Sequence, residues 1–355
     1  MSGGVDSSVA ASLMLDAGYT CIGVTMKLYE AGNSGQRIHK GCCSLADVND
    51  ARQAAYALNM PHYVLNFTEA FTSEVIRRFI ETYEKGGTPN PCIDCNRYVK
   101  FNRLLFRARE LDFDLLATGH YARIEKDTAT GRYLLKKSVY EKKDQSYVLY
   151  GLTQNELAHS AFPLGGFSKD RVREIAKERG FINAKKQDSQ DICFVLDRDY
   201  GGFMERFTGK QYPPGDILSL DGKVLGRHRG IVRYTIGQRR GLGVAVNEPM
   251  YVIQKDIAAN TITLGPERAL YSKTLWANNI NLIALDSIDK PLRVTVKTRY
   301  QEAEKKATVE QTGPDEFRVE FDDPLGKGGQ RAVSPGQAAV LYDGDIVLGG
   351  GTIIK

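Results

Sequence analysis

Three short stretches of the chain combine residue types that do chemistry. Near the N-terminus, Ser2-Gly3-Gly4-Val5-Asp6-Ser7-Ser8 runs into a segment whose Val9, Leu13 and Leu15 supply an apolar face. Two glycines let the backbone turn its N–H groups toward an anion, the serines add hydroxyl donors, and the start of a helix adds positive potential. No lysine follows in the manner of G-x-x-x-x-G-K-[ST], so this is a different kind of phosphate loop. The plainer alternative is a tight turn in which Ser2 or Asp6 caps a helix. The second stretch, Thr88-Pro89-Asn90-Pro91-Cys92-Ile93-Asp94-Cys95-Asn96, is a proline-stiffened loop carrying a C-x-x-C pair. Its prolines set a bent, exposed course, and a thiol presented at a helix start is expected to lose its proton more readily. The third, Lys186-Gln187-Asp188-Ser189-Gln190-Asp191-Ile192-Cys193-Phe194, brings another cysteine in a polar approach to an apolar run.

Cysteine chemistry leaves three readings open. Cys92, Cys95 and Cys193 offer three soft ligands for an iron–sulfur cluster such as [4Fe–4S] with one open iron; Cys42 and Cys43 can complete a zinc site; or the thiols work without metal. Neither spacing is a full metal signature, adjacent cysteines do not easily face one tetrahedral ion, and metal-free thiol chemistry is favoured, with no metal ligand assigned.

These stretches need elements to position them. Helical periodicity over Asp6–Ala17 and Ala46–Leu58 alternates with β-branched runs at Thr20–Thr25 and Tyr63–Phe67. That alternation predicts a parallel α/β sheet. Further helices are expected over Val75–Glu84 and Tyr98–Glu110, a buried strand at Leu115–Thr118, and a hairpin turning near Thr130 and Gly131. A sheet of this kind requires a strand before the first loop, and the chain begins at Met1, so that strand is expected to lie outside the residues present. Beyond Leu196 the texture changes to glycine-rich turns and short strands such as Tyr251–Gln254, Thr261–Leu264, Val294–Thr298 and Phe317–Phe321. This predicts two small, mainly β domains after the α/β domain, with a break near Tyr271–Leu275. The expected division is 1–196, 197–271 and 272–355.

At 355 residues the chain is long enough for two or three domains and a large core. Hydrophobic residues make up 42% and charged residues 26%, and no run approaches the roughly 18 apolar residues of a membrane span. A net charge of +5 permits an acidic partner without requiring one. Six cysteines and no charged, apolar leader predict a reducing cytoplasm. Within Gly226–Gly243, Arg227, Arg229, Arg233, Arg239 and Arg240 alternate with Ile231, Tyr234 and Ile236, and no acidic residue interrupts them. That reads as a phosphate-facing β surface.

The first loop resembles the SGGxDS motif of the PP-loop ATP pyrophosphatases, which split ATP to AMP and pyrophosphate while adenylating a substrate oxygen. Together with the cysteine segments, five further stretches resemble the tRNA-specific 2-thiouridylase family over nearly the whole chain. They are Gly119-His120-Tyr121-Ala122-Arg123, Lys143-Asp144-Gln145-Ser146-Tyr147, Phe162-Pro163-Leu164-Gly165, Tyr234-Thr235-Ile236-Gly237-Gln238-Arg239 with Gly241-Leu242-Gly243, and Ser334-Pro335-Gly336-Gln337-Ala338. The resemblance implies a cytoplasmic sulfurtransferase that uses ATP and Mg²⁺ to exchange the C2 oxygen of a wobble uridine for sulfur. It implies Cys95 as the catalytic cysteine and Cys193 as the persulfide carrier. Met1, Ser2, Gly3, Gly4, Val5, Asp6, Ser7, Met26 and Gly119 are implied to contact ATP, with Asp6 placed to hold Mg²⁺. Asn90, Pro91 and Cys92 are implied to surround the target base. His120, Lys143, Asp144, Gln145, Arg299, Tyr300 and Gln337 are implied to face tRNA, beside the arginines at 239 and 240. Many relatives carry aspartate where Cys92 stands, which makes Asp94 the substitute acid or base if its loop aims inward. The implied partners are the lysine, glutamate and glutamine tRNAs and a persulfide donor such as a cysteine desulfurase or relay protein. Two rivals remain: a PP-loop enzyme that adenylates a small carbonyl compound, which leaves the thiols and arginines unexplained, and a non-enzymatic RNA-binding protein with a degenerate loop.

Overall fold

The computed structural model describes residues 1–29, 45–186, 192–195, 197–245, 248–323 and 329–355. Cys42 and Cys43, and with them the zinc reading, lie outside the described residues. The chain forms two compact units, one of Met1–Ile76, Pro91–Arg198 and Asp345–Val347, the other of Arg77–Asn90, Asp199–Gly344 and Leu348–Lys355.

In the first unit, helix α1 (Val5–Asp16) follows the glycine loop directly. Strand β1 (Gly23–Lys27), helix α2 (Leu45–Ala57) and strand β2 (His62–Asn66) come next. β1 and β2 pair in parallel, from Gly23 opposite His62 to Lys27 opposite Asn66. A second parallel pair joins Leu116–Ala117 to Ser160–Ala161. The expected alternation is therefore present, with boundaries displaced by up to three residues. α1 is held by an apolar cluster in which Val5, Val9 and Ala10 meet Val172, Ile175 and Ala176 of the helix Lys169–Glu178, with Tyr121 and Leu164. Burying a valine, isoleucine or leucine side chain stabilises by about 1.5–3 kcal/mol, and this fixes the helix whose first turn carries the loop. The hairpin Ala122–Lys126/Tyr133–Lys137 turns where Gly131 N–H donates to Asp127 O, as its turn residues predict. From Pro91 the chain stays helical through Pro91–Asp94, Cys95–Leu104 and Leu105–Glu110, the middle segment in the wider π-helical winding. Proline begins a helix at no cost in hydrogen bonds, because the first N–H has no partner there.

The second unit holds two β assemblies. A four-stranded sheet runs in the order Val224–His228, Gly215–Leu218, Thr261–Gly265, Tyr251–Asp256. The other assembly orders Thr274–Leu282, Glu316–Phe321, Lys305–Gly313, Leu292–Lys297 and Ala338–Asp343 with the last strand, which pairs back onto the first from Ala277 opposite Ile353 to Leu282 opposite Gly349. This closes a six-stranded barrel, which removes exposed sheet edges. Alternate residues Leu275, Ala277, Val294, Val296, Ala307, Val309, Phe317, Val319 and Phe321 fill its interior.

The arginine stretch is not the β surface its pattern suggests. Only Arg227 lies in a strand; Ile231–Arg233 form a turn of 3₁₀ helix, and positive φ at Gly230, Gly237, Gly241 and Gly243 keeps the rest looped. Glycine every few residues breaks the pleat that alternation alone would favour.

Candidate nucleotide and thiol site

The nucleotide loop is built from backbone. Gly4 is the N-cap of α1 and no side chain caps it, so neither Ser2 nor Asp6 plays the capping role that the plainer reading gave them. The first N–H groups of α1 are thereby left for an external acceptor, in the way an anion site requires. Gly3 has φ +71°, and a Cβ there would lie 2.2 Å from Asp47 O, so only glycine fits. Ser7 Oγ donates to Gly4 O at 3.0 Å and accepts from Ser2 N–H at 3.2 Å, which draws the loop around its own hydroxyls. Val5 contributes its side chain to the core and leaves its backbone at the loop. Met1 N–H donates to Val24 O, and Met1 O accepts from Thr25 Oγ1 at 2.7 Å, so the residue before the loop is pinned along β1. Met26 lies toward the carboxyl end of β1, the end at which open parallel sheets receive ligands.

Asp6 is the charged centre of the loop. Lys169 Nζ donates to both its carboxylate oxygens, at 2.8 and 2.9 Å, and Tyr121 Oη donates to Oδ1 at 2.9 Å. Lys169 is 5% exposed. It opens its own helix, where the dipole disfavours a cation, so the nearby carboxylate is what holds it there. Tyr121 is in turn locked to Gln145: Tyr121 N–H donates to Gln145 Oε1 at 3.0 Å, and Gln145 N–H donates to Tyr121 O at 2.8 Å. Gly119 packs so tightly that a Cβ would stand 2.8 Å from Asp6 C and 2.9 Å from Ser7 N.

A turn at 183–186 buttresses the loop from behind. Asn183 Nδ2 donates to Gly3 O at 3.1 Å and Ser8 Oγ at 3.0 Å, while Lys186 Nζ donates to Gly3 O at 3.2 Å, Asp47 at 2.6 Å and Asp50 at 2.7 Å. Burial pulls the Lys186 amine down, but the two carboxylates outweigh it and hold the group above its usual range.

Cys95 is buried at the start of the π-helical segment, Cys92 is exposed one turn earlier, and Asp94 between them is half-buried. Cys193 is half-buried, and its carbonyl accepts from Tyr29 Oη at 2.9 Å. The next residue, Phe194, packs edge-on against Phe71 at 5.7 Å, and Phe71 belongs to the short helix Thr68–Phe71 that packs against Cys95–Leu104. One aromatic layer thus connects the Cys193 segment to the helix carrying Cys95. Among the described residues no three His, Cys, Asp or Glu side chains are grouped to hold a metal ion.

The residues expected at tRNA divide by how they are engaged. His120 packs between Phe101 and Phe162, each 5.9 Å away, with Nδ1 2.7 Å from Thr118 Oγ1. Burial, helped by Lys100, depresses its pKa well below the ordinary value and keeps it uncharged at neutral pH. Asp144 turns inward: its carboxylate accepts from Ser138 N–H, Ser146 N–H and Ser146 Oγ. Lys143, one residue before, is half-buried at the end of the turn Glu141–Lys143. In the second unit, Arg239 and Arg240 are exposed. Arg233 instead bridges Asp199 at 2.6 Å and Glu205 at 2.8 Å. Arg299 Nη2 donates to Ile236 O, Ala332 O and Ser334 Oγ, which spends that nitrogen on two carbonyls and a hydroxyl. Lys297 lies over the Tyr300 ring at 6.0 Å. Gln337 Nε2 donates to Thr88 O at 2.9 Å and Pro89 O at 3.3 Å, immediately before Asn90.

Lys169, Tyr121, Asn183 and Lys186 are the loop residues that motif reading leaves without a role. The one local signal is a lysine directly after the cap Ser168, where helices favour acids.

A parallel α/β unit with an uncapped glycine loop, followed by β modules that include a closed barrel, defines a nucleotide-binding enzyme class with appended β domains. Residues 1–197 match the family described as the tRNA methyl transferase HUP domain, residues 201–266 its PRC-barrel domain, and residues 272–353 the aminomethyltransferase β-barrel domain. The chain is 50% identical over 355 residues to the tRNA-specific 2-thiouridylase MnmA of Clostridioides difficile, covering 100% of this chain and 97% of the relative. Identity is also 50% over 354 residues to the Acetivibrio thermocellus protein of that name, covering 99% and 97%, and 49% over 359 residues to that of Symbiobacterium thermophilum, covering 99% and 90%. The chain belongs to the tRNA-specific 2-thiouridylase family, a family of sulfurtransferases.

Proposed function

We propose that the protein forms 2-thiouridine at the wobble position of lysine, glutamate and glutamine tRNAs, in the cytoplasm, in two chemical stages. In the first, the uridine O2 attacks the α-phosphorus of ATP and pyrophosphate leaves, so that C2 carries AMP, a good leaving group. The N–H groups at the start of α1, the Ser2 and Ser7 hydroxyls and the Gly3–Gly4 turn hold the phosphates, and Met26 and Gly119 line the nucleoside. Asp6 would offer Mg²⁺ a hard oxygen ligand, and Lys169 otherwise balances its charge. In the second stage the terminal sulfur of a Cys193 persulfide attacks C2 and AMP departs. The Cys95 thiolate then attacks the Cys193 sulfur, which releases the C2 sulfur to the base and leaves a Cys95–Cys193 disulfide. An external reductant restores the thiols, and a persulfide donor reloads Cys193. Burial of Cys95 keeps it from competing oxidants until the base enters.

The target base sits at Asn90, Pro91 and Cys92, with Asp94 as acid or base in place of the usual aspartate. Metal-free thiol chemistry is the reading we adopt over a [4Fe–4S] cluster held by Cys92, Cys95 and Cys193, because a C-x-x-C pair at a helix start supports thiolate chemistry without a metal. Arg239, Arg240, Lys143 and Tyr300 carry the tRNA surface, while His120, Asp144, Gln145, Arg299 and Gln337 shape it through the contacts described above. We assign domains to 1–196, 197–271 and 272–355, in keeping with the three family matches. Membership of the family carries the proposal. The test is tRNA-dependent release of pyrophosphate from ATP: release without tRNA, driven by a small carbonyl compound, would favour the rival adenylating enzyme instead.

A further inference from the structure

Two donors converge on one carbonyl of the nucleotide loop. Gly3 O accepts from Asn183 Nδ2 at 3.1 Å and from Lys186 Nζ at 3.2 Å. In a trans peptide the next N–H points opposite to the carbonyl, so fixing Gly3 O fixes the direction of Gly4 N–H. That N–H lies on the exposed side of the loop and donates only a long bond to Ser2 Oγ, at 3.4 Å. Asn183 is 3% exposed, and its buried Oδ1 has no hydrogen-bond partner among the described residues, so the amide is oriented by what its Nδ2 donates to. Lys186 is not a phosphate ligand, since Asp47 and Asp50 of α2 already surround its amine. It joins three elements at one point: the loop, α2 and the turn 183–186.

We propose that Lys186 and Asn183 are positioning residues for ATP, orienting the Gly3–Gly4 peptide so that Gly4 N–H meets the triphosphate, and that Lys186 also shields that phosphate from the carboxylates of Asp47 and Asp50. The inference rests on the reading of the loop as the ATP site. Lys186 stands seven residues before Cys193, so the buttress of the nucleotide loop is laid in the same chain segment that brings the sulfur.

The test uses the full chain and titration calorimetry with Mg·ATP. Lys186→Met loses a charged hydrogen bond and exposes two carboxylates, so ATP affinity falls about tenfold to hundredfold, with tRNA affinity unchanged. Asn183→Ala weakens ATP in the same direction through the same carbonyl and serves if the lysine variant does not fold. Lys186→Met/Asp47→Asn/Asp50→Asn recovers part of the affinity, because the repulsion is gone, but not all, because the carbonyl remains unheld. A residue that served only to hold the fold together would lower the melting temperature in every variant without this graded recovery. Folded Lys186→Met or Asn183→Ala protein that binds Mg·ATP as tightly as the wild type overturns the proposal alone. Wild-type protein that does not bind Mg·ATP overturns the reading of the loop, and the proposal with it.

Discussion

Replacing Gly119 with alanine adds one methyl group to the wall of the nucleotide loop. Its Cβ would lie 2.8 Å from Asp6 C, 2.9 Å from Ser7 N and 3.0 Å from Asp6 O, where ordinary contact begins near 3.4 Å, so the start of α1 must retreat by about 0.6 Å. Gly119 does not have left-handed backbone, so alanine itself is unstrained and the effect is steric. Because the obstructing atoms are backbone, no side chain can swing away. Overpacking of this kind costs about 1–3 kcal/mol, and a displacement approaching 1 Å at reacting groups costs about a hundredfold in rate. Gly119→Ala is expected to lower tRNA-dependent pyrophosphate release about tenfold to hundredfold, chiefly through ATP, and to lower the melting temperature by a few degrees. Gly166→Ala is the control, since a Cβ there meets nothing within 4 Å. Steady-state kinetics with ATP varied at saturating tRNA measures both variants. Wild-type behaviour in Gly119→Ala, or equal damage in Gly166→Ala, would refute the placement of ATP against this wall.

Cys193→Ser should abolish sulfur transfer yet leave tRNA adenylation largely intact, because phosphates and thiols serve separate steps; loss of both activities in a folded variant contradicts that division. Arg239→Gln/Arg240→Gln should weaken tRNA binding and reduce the slope of log affinity against log salt by about 1–2, with ATP binding unaltered, and an unchanged slope removes these residues from the interface. Iron-free protein purified in air should thiolate tRNA when given a persulfide donor, and Cys92→Ser should not alter its iron content; activity that follows iron would restore the cluster. His120 is depressed below 6.5, so the unfolded chain takes up a proton that the folded chain refuses as pH falls through that value. His120→Gln should therefore flatten part of the stability lost on acidification below about pH 6.5, and an identical pH profile would contradict the buried, neutral imidazole.

The α/β alternation was legible because helix and strand periods differ, and Ser2–Ser7 was legible because a loop that turns N–H groups on an anion tolerates few residue types. Lys169 and Lys186 were not. Each acts through a partner more than a hundred residues away, Asp6 for one and Asp47 for the other, and nothing local marks such a pairing. Nothing local in the sequence marks the direction of Asp144, implied by resemblance to face tRNA, and Ser138 and Ser146 on either side of it hold the carboxylate inward. The arginine stretch shows the converse error. Alternation predicted a strand, and glycines at 230, 237, 241 and 243 with positive φ overrode it, leaving Arg239 and Arg240 exposed on a loop and Arg233 tied to acids. The cysteines were legible as chemistry but not as geometry, since the aromatic layer of Phe71 and Phe194 between their segments has no sequence signature.

The central claim is that one chain activates and then thiolates a wobble uridine. Purified protein incubated with Mg²⁺, ATP, unmodified tRNA and a persulfide donor, followed by mass analysis of the digested nucleosides, tests it directly. The wobble uridine is expected to gain the mass of sulfur in place of oxygen, with one pyrophosphate released per base converted and Cys95 and Cys193 recovered as a disulfide. Uridine left unchanged while ATP is consumed, or thiolation that proceeds without ATP, would contradict it.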